Sequence, residues 1–168
     1  MAHVSNSNLF SHIRGIRKIK DALVVLVKTE WNAAIVDELE AGCKTVLAQN
    51  GIRTKTIIVP GAVEIPFAVH QYWENKKGSK TADAFIALGC VIRGGTPHFD
   101  YVCQGVTFGV TQLNTVLPVP VIFGVLTVDN TQQADERLGG VHGHKGEEAA
   151  ITALKMMLLN RKLKKAKR

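Results

Sequence analysis

The sequence predicts an α/β fold, a three-layer α/β/α sandwich in which a four-stranded parallel sheet carries helices on both faces. Three observations lead there. Four short apolar runs rich in β-branched residues recur along the chain, at 22–27, 56–59, 84–92 and 119–127. Continuous apolar runs of this length suit strands buried on both faces, as in parallel sheets. Between them lie longer stretches whose apolar residues return every three or four positions, the spacing of a helix with one buried face. Strands alternating with helices imply a parallel sheet with right-handed crossovers.

Residues 1–20 show no clear periodicity and read as an N-terminal extension. The run from Ala22 to Val27 is the first strand. The helix over 32–50 follows from Ile35, Leu39, Cys43, Val46 and Leu47, and Asn50-Gly51 closes it as a C-cap. The second strand, Thr56 to Val59, stops at Pro60-Gly61. A helix is expected from near Glu64 or Ile65, with Pro66 tolerated in a first turn that has no N–H partner to lose. Gly78-Ser79 is its expected end. The third strand, Ala84 to Ile92, precedes a helix over 99–117. Gly105 and Gly109, four apart, would let that helix pack closely on a neighbour. After the fourth strand, Asp129-Asn130 predicts the cap of a short helix over 132–138, then a Gly-rich turn over 139–146. The last helix runs from Glu147 into the tail, with Ile151, Leu154, Leu158 and Leu159 on its apolar side.

Composition narrows the class. The 168 residues suit one domain spanning 1–168, without repeats or linkers. No apolar run reaches the roughly 18 residues of a membrane span, and residues 1–11 lack the apolar core of a signal peptide. Cys43, Cys90 and Cys103 are odd in number and widely spaced, which predicts reduced, buried thiols in a cytoplasmic protein. The net charge of +7 is local, because residues 161–168 carry six cations and the rest only +1. A basic tail of this kind is expected as the solvated end of a helix, opposite Glu147 and Glu148 in its first turn, with no nucleic acid or membrane as partner.

Chemistry is expected at the strand ends. Glu30-Trp31-Asn32 follows the first strand, Pro60 to Glu64 the second, Arg93 to His98 the third, and Thr127 to Asn130 with Arg137 the fourth. These points fall on one edge of a parallel sheet, where ligands of open α/β folds bind. Gly94-Gly95-Thr96 offers open backbone before a helix start, which favours an anion. His98 then supplies an acid/base with an ordinary pKa of about 6.5. Trp31 either covers the sheet edge or stacks on a heterocycle. Asn32 is a helix cap or a ligand group, Glu64 a dipole partner or a ligand group, and Arg137 a solvated residue or an anion clamp. His142-x-His144 lacks a third ligand at defined spacing, so no metal is expected. Neither a P-loop nor a G-x-G-x-x-G follows a strand.

Over residues 22–160 the chain resembles the 6,7-dimethyl-8-ribityllumazine synthase family. The resemblance rests on Trp31-Asn32, on Val59 to Pro66, on Gly89 to Val102, on Pro120 to Thr127 and on Ala134-x-x-Arg137 through Gly146. It implies a flavodoxin-like sandwich and a transferase of riboflavin biosynthesis, condensing 5-amino-6-(D-ribitylamino)uracil with 3,4-dihydroxy-2-butanone 4-phosphate and releasing phosphate and water. No cofactor or metal is implied, because the reacting amine comes with the substrate. By position, Trp31 matches an aromatic, usually Phe, that stacks on the pyrimidine. Ala62, Val63 and Glu64 match the segment along the ribityl chain, and Cys90, Val91 and Ile92 the strand end beside the pyrimidine. Gly95, Thr96 and Arg137 match phosphate-binding positions, Lys145 lies near the phosphate, and His98 matches the proton-transfer histidine. Phe123 matches a residue contributed by a neighbouring subunit. The resemblance further implies a homopentamer, in some members a sixty-subunit shell, with riboflavin synthase as a partner. The alternative with the same pocket is a catalytically weak flavin- or lumazine-binding paralogue.

Overall fold

Val24, Val25, Leu26 and Val27 are fully buried, and so are Ala84 to Leu88. These two runs become the inner strands of the sheet because only a strand covered on both faces can bury every successive side chain. In the computed structural model, which describes Leu9, Ile19 and residues 21–76 and 82–166, they are β1 (Leu23–Thr29) and β3 (Ala84–Ile92). The flanking strands are β2 (Arg53–Val59) and β4 (Val121–Val128). All pair in parallel in the order β2-β1-β3-β4. The chain leaves β1 toward one edge and β3 toward the other, so the carboxyl ends of β1 and β3 border the switch point where α/β folds form a crevice.

One face of the sheet is covered by α1 (Ala33–Gln49) and α5 (Lys145–Ala166), whose Val36, Leu39, Leu47, Leu154 and Met157 meet Val24, Leu26, Ile86 and Leu88. The other is covered by α2 (Ile65–Glu74) and α3 (His98–Val116), whose Ile65, Val69, Val106 and Val110 meet Val25, Val27, Phe85 and Ala87. Each large buried side chain contributes about 1.5–3 kcal/mol. Two glycines are needed for contact. A Cβ at Gly146 would lie 2.1 Å from the Leu39 carbonyl oxygen, where α5 crosses α1, and one at Gly109 would lie 2.3 Å from Pro66, where α3 crosses α2. Gly105 faces open space, so only half of the expected small-residue pair packs within the chain.

Several boundaries differ from expectation, each for a local reason. β2 starts at Arg53 rather than Thr56, because an edge strand needs only alternate burial and its charged Arg53 and Lys55 face outward. α2 ends at Glu74 with Asn75 as cap, and the expected stop at Gly78-Ser79 lies outside the described residues. After β4, Asn130 Oδ1 accepts from the Gln133 amide and starts α4 (Thr131–Asp135). That helix stops short of 138 because Leu138 turns into a small antiparallel hairpin, β5 (Leu138–Gly140) with β6 (Gly143–His144). The final helix begins two residues early, at Lys145, and runs into the tail. There Arg161 pairs with Asp83 at 3.2 Å, and Asn160 and Lys164 donate to the Pro118 carbonyl.

All three cysteines are free, but only Cys43 and Cys90 are buried; Cys103 is half-buried on α3. Burial pushes the Cys43 thiol up to about 12 and that of Cys90 up to about 11. One charged group sits inside the α1 face. Glu40 accepts from Lys28 at 2.7 Å, from Lys44 at 2.6 Å and from the Thr56 hydroxyl. Burial alone would raise its carboxyl, but these hydrogen bonds win and hold it at about 2. Among the described residues no helix is long and apolar enough to cross a membrane.

Candidate active site

The carboxyl ends of β1 and β3 separate around a cavity of about 580 Å³. Its walls come from the segments after three strands: Trp31 and Asn32, Gly61 to Glu64, Cys90 to Ile92, and His98 with Val102 from the first turns of α3. Backbone hydrogen bonds fix the frame. The Glu30 amide donates to Val59 and that of Trp31 to Pro60, so the β1–α1 and β2–α2 connections are tied together. The Thr29 hydroxyl donates to the Trp31 carbonyl at 3.1 Å. With its main chain held this way, the Trp31 side chain stands 73% exposed, leaving ring area free for a ligand.

Asn32 occupies the cap position of α1, where its carbonyl accepts from the Ile35 and Val36 amides, and it also lines the cavity. Its backbone is left-handed, φ 57°, and its side chain makes no cap bond to α1. Nδ2 donates instead to the Cys90 carbonyl at 2.8 Å. That bond crosses the switch point between β1 and β3. Asn tolerates the left-handed region better than most residues, and its amide reaches a backbone partner from there. Opposite, a Cβ at Gly61 would lie 2.9 Å from Glu64 Oε2 and 3.7 Å from Trp31. The Glu64 carboxylate thus folds back beside the cavity, and the missing side chain at Gly61 makes room for it. Pro97 precedes α3 with φ −62°, and His98 is the exposed first residue of that helix, on the rim.

Gly95 and Thr96 lie in the exposed turn between β3 and α3, beside the cavity but outside its walls. Neither Gly94 nor Gly95 has positive φ, and a Cβ on either would meet nothing within 4 Å. Their contribution is open backbone, not an unusual turn.

Phe123, Arg137 and Lys145 do not reach this cavity. They line a second one, of about 760 Å³, along the outer flank of β4 and α5. Within one chain Arg137 does not join the other strand ends, because the short α4 packs on β4 and leaves the residue that follows it on that flank. Arg137 is 8% exposed. One terminal nitrogen donates to the Gln133 carbonyl at 2.6 Å, while its Nε is buried without a partner among the described residues. Lys145 Nζ lies 2.7 Å from Glu148. Phe123 is 40% exposed beside them. A half-satisfied buried guanidinium next to an ammonium favours an anion, since a buried donor left unpaired is costly. The two histidines of the Gly-rich turn have separate neighbours. His142 faces Glu136 at 3.7 Å, and the His144 ring fills the space where Gly42 lacks a side chain.

Sequence reasoning placed Arg93 at a strand end but gave it no role. Its guanidinium lies 2.9 Å from Asp129, 3.3 Å from Asp100, and 4.1 Å from the centre of the Phe99 ring. The available signal was an arginine directly before Gly-Gly with acids at the heads of the two neighbouring segments.

Comparison with known proteins gives the family. Residues 21–161 match the family model described as 6,7-dimethyl-8-ribityllumazine synthase. A protein of that name from Porphyromonas gingivalis is 50% identical, over 84% of this chain and 88% of its own length. One from Cytophaga hutchinsonii is 46% identical, over 91% and 96%. One from Parabacteroides distasonis is 47% identical, over 79% and 82%.

Proposed function

The chain belongs to the 6,7-dimethyl-8-ribityllumazine synthase family, and we propose that its active site is composite, with the switch-point cavity of one copy completed by the β4 flank of the next. The protein is a transferase of riboflavin biosynthesis. It joins 5-amino-6-(D-ribitylamino)uracil to 3,4-dihydroxy-2-butanone 4-phosphate. The 5-amino nitrogen attacks the ketone, water leaves to give an imine, phosphate is eliminated, and the ribityl-bearing nitrogen closes the ring with loss of a second water. The relatives, all named as synthases, give no support to a non-catalytic paralogue.

In this reading Trp31 stacks on the pyrimidine, and Cys90, Val91 and Ile92 run along its edge. Ala62, Val63 and Glu64 hold the ribityl chain. His98, on the rim, moves protons for imine formation and for loss of phosphate. The Gly95-Thr96 turn receives the phosphate from one side. Arg137 and Lys145 of a neighbouring copy receive it from the other, and that copy's Phe123 covers the ring system. The protein's contribution is orientation, anion binding and proton transfer, since the substrate brings its own nucleophile. The observation that carries the composite site is the separation itself: a cavity without cations and a cationic wall, on different flanks of one chain, with the buried Arg137 Nε unsatisfied.

The same reading makes the assembled ring the active species, a homopentamer of the kind that in some family members builds a sixty-subunit shell. It places the chain in the cytoplasm, as the free Cys43 and Cys90 thiols suit, with riboflavin synthase consuming its product. The test is formation of 6,7-dimethyl-8-ribityllumazine, followed by absorbance and fluorescence, with assembly size measured by light scattering on the same sample. Product above the spontaneous background, found only in the assembled fraction, is expected. An active monomer would overturn the composite site.

A further inference from the structure

Arg93 links parts of the chain that no backbone bond joins directly. Its Nε donates to Asp129 Oδ1 at 2.9 Å, and a terminal nitrogen lies 3.3 Å from Asp100 Oδ1. Its guanidinium plane sits over the Phe99 ring at 4.1 Å. Asp100 and Phe99 belong to the first turn of α3, next to His98, whereas Asp129 stands between β4 and α4. The carboxylate of Asp129 is shared. Oδ2 faces Gln133 Nε2 at 3.4 Å, and the Asp129 amide donates back to Gln133 Oε1 at 2.9 Å. The carbonyl of the same Gln133 accepts from Arg137. A continuous polar chain therefore runs Arg93–Asp129–Gln133–Arg137, from the Gly94-Gly95-Thr96 turn to the buried guanidinium on the β4 flank.

We infer that Arg93 is a positioning residue for the phosphate-bearing substrate, acting through Asp129 to hold the β3–α3 turn and the α4 corner in register. Three observations make this more than a surface ion pair. Gly94 and Gly95 have no side chains to anchor the turn, and a Cβ at either would touch nothing. The one backbone tie there, from the Arg93 amide to Val128 at 2.9 Å, fixes the end of β3 but not the residues beyond it. Asp100 and Asp129 also place two negative charges beside a turn that must receive an anion, and Arg93 lies between them. A lysine could neutralise charge but could not engage both carboxylates while stacking on Phe99, since it lacks the planar fork.

Exposed pairs of this kind add little to folding stability, so a positioning role and a structural role part experimentally. The inference rests on reading the Gly95-Thr96 turn and Arg137 as the phosphate site, and the variants below are chosen to keep the two apart. In assembled protein, Arg93→Ala is expected to raise KM for the dihydroxybutanone phosphate about tenfold, the lower end of what one weakened hydrogen bond to a charged group costs. KM for the pyrimidine should stay within about twofold and the thermal midpoint within a few degrees. Arg93→Lys should restore little, and Asp129→Asn should raise the same KM in an otherwise unchanged fold. The double variant should be no worse than Arg93→Ala alone, because the two residues act as one unit. Full rescue by lysine would replace positioning with simple charge neutralisation. Unchanged KM in both Arg93→Ala and Asp129→Asn, while Arg137→Ala still weakens the phosphate substrate, would overturn this inference alone. Unchanged KM in all three would overturn the phosphate-site reading beneath it.

Discussion

The two flanks that carry the chemistry are built on different physical terms. The switch-point cavity is a product of the sheet: strand ends diverge, backbone hydrogen bonds from Glu30 and Trp31 tie the connections, and Asn32 bridges to Cys90. Its walls are mostly apolar, with His98 at the rim. The β4 flank is a product of a short helix and a hairpin, and it concentrates cations. Arg137 is buried with a donor to spare, and Lys145 is held by Glu148. In the proposed reading the first receives the pyrimidine and the second supplies the cations for the phosphate, so that the site is completed where two copies meet.

The strongest way to break this comparison is to remove the cationic flank alone. Arg137→Ala is expected to raise KM for the phosphate substrate about 30- to 100-fold, the scale of about 2–3 kcal/mol for charge-assisted hydrogen bonds. KM for the pyrimidine should change by no more than about twofold. Steady-state kinetics with each substrate varied in turn measures both. Equal losses for the two substrates would mean that the flanks are not specialised.

A second experiment sharpens the comparison by separating the flanks between chains. His98→Ala is expected to lower kcat by some tens-fold, the low end for a lost acid/base. Dissociating and co-assembling it with Arg137→Ala should then raise activity well above either parent. With random mixing, about a quarter of composite sites receive two intact flanks, because one heterologous interface joins different patches of adjacent copies. Activity that stays at the average of the two parents would place the whole site within one chain.

The difference between the flanks also explains what was legible in the sequence. The four strands, the two helical layers and the cavity walls follow from local signals: continuous apolar runs, helical spacing, and turn residues after each strand. Trp31, Ala62 to Glu64, Cys90 to Ile92 and His98 converge as expected because each lies within a few residues of a strand end. Phe123 sits where its strand puts it, on β4. Arg137 and Lys145 match family positions by resemblance, but their place in the fold was not legible: it depends on α4 stopping at Asp135 and on the hairpin between them, which packs on α1 and α5. Leu138 pairing with His144 is a tertiary choice with no periodic signature. Asn32 was ambiguous for a related reason, since its partner, the Cys90 carbonyl, is 58 residues away.

The smallest expected effect on catalysis, and so the control for the comparison, comes from Glu40, which lies on the α1 face away from both flanks. Lys28, Lys44 and Thr56 hold its carboxyl at about 2 against the cost of burial. In the unfolded chain a glutamate titrates at about 4.3. The folded value is the lower one, so this contribution is complete above about pH 4.5 and disappears as pH falls toward 2. Glu40→Gln should cost about 3 kcal/mol at pH 7, the lower part of the range for breaking a buried ion pair, since Lys28 keeps Asp37 at 2.6 Å. Urea midpoints at a fixed protomer concentration measure this. The gap between the two proteins should narrow below pH 4.5 and close near pH 2, while both KM values at pH 7 stay within about twofold of the parent, the limit applied above to the pyrimidine. A gap independent of pH would remove the ion pair as its cause. A selective rise in either KM would mean that the α1 face shapes one of the two flanks, and that the flanks are less independent of the scaffold than their separate construction implies.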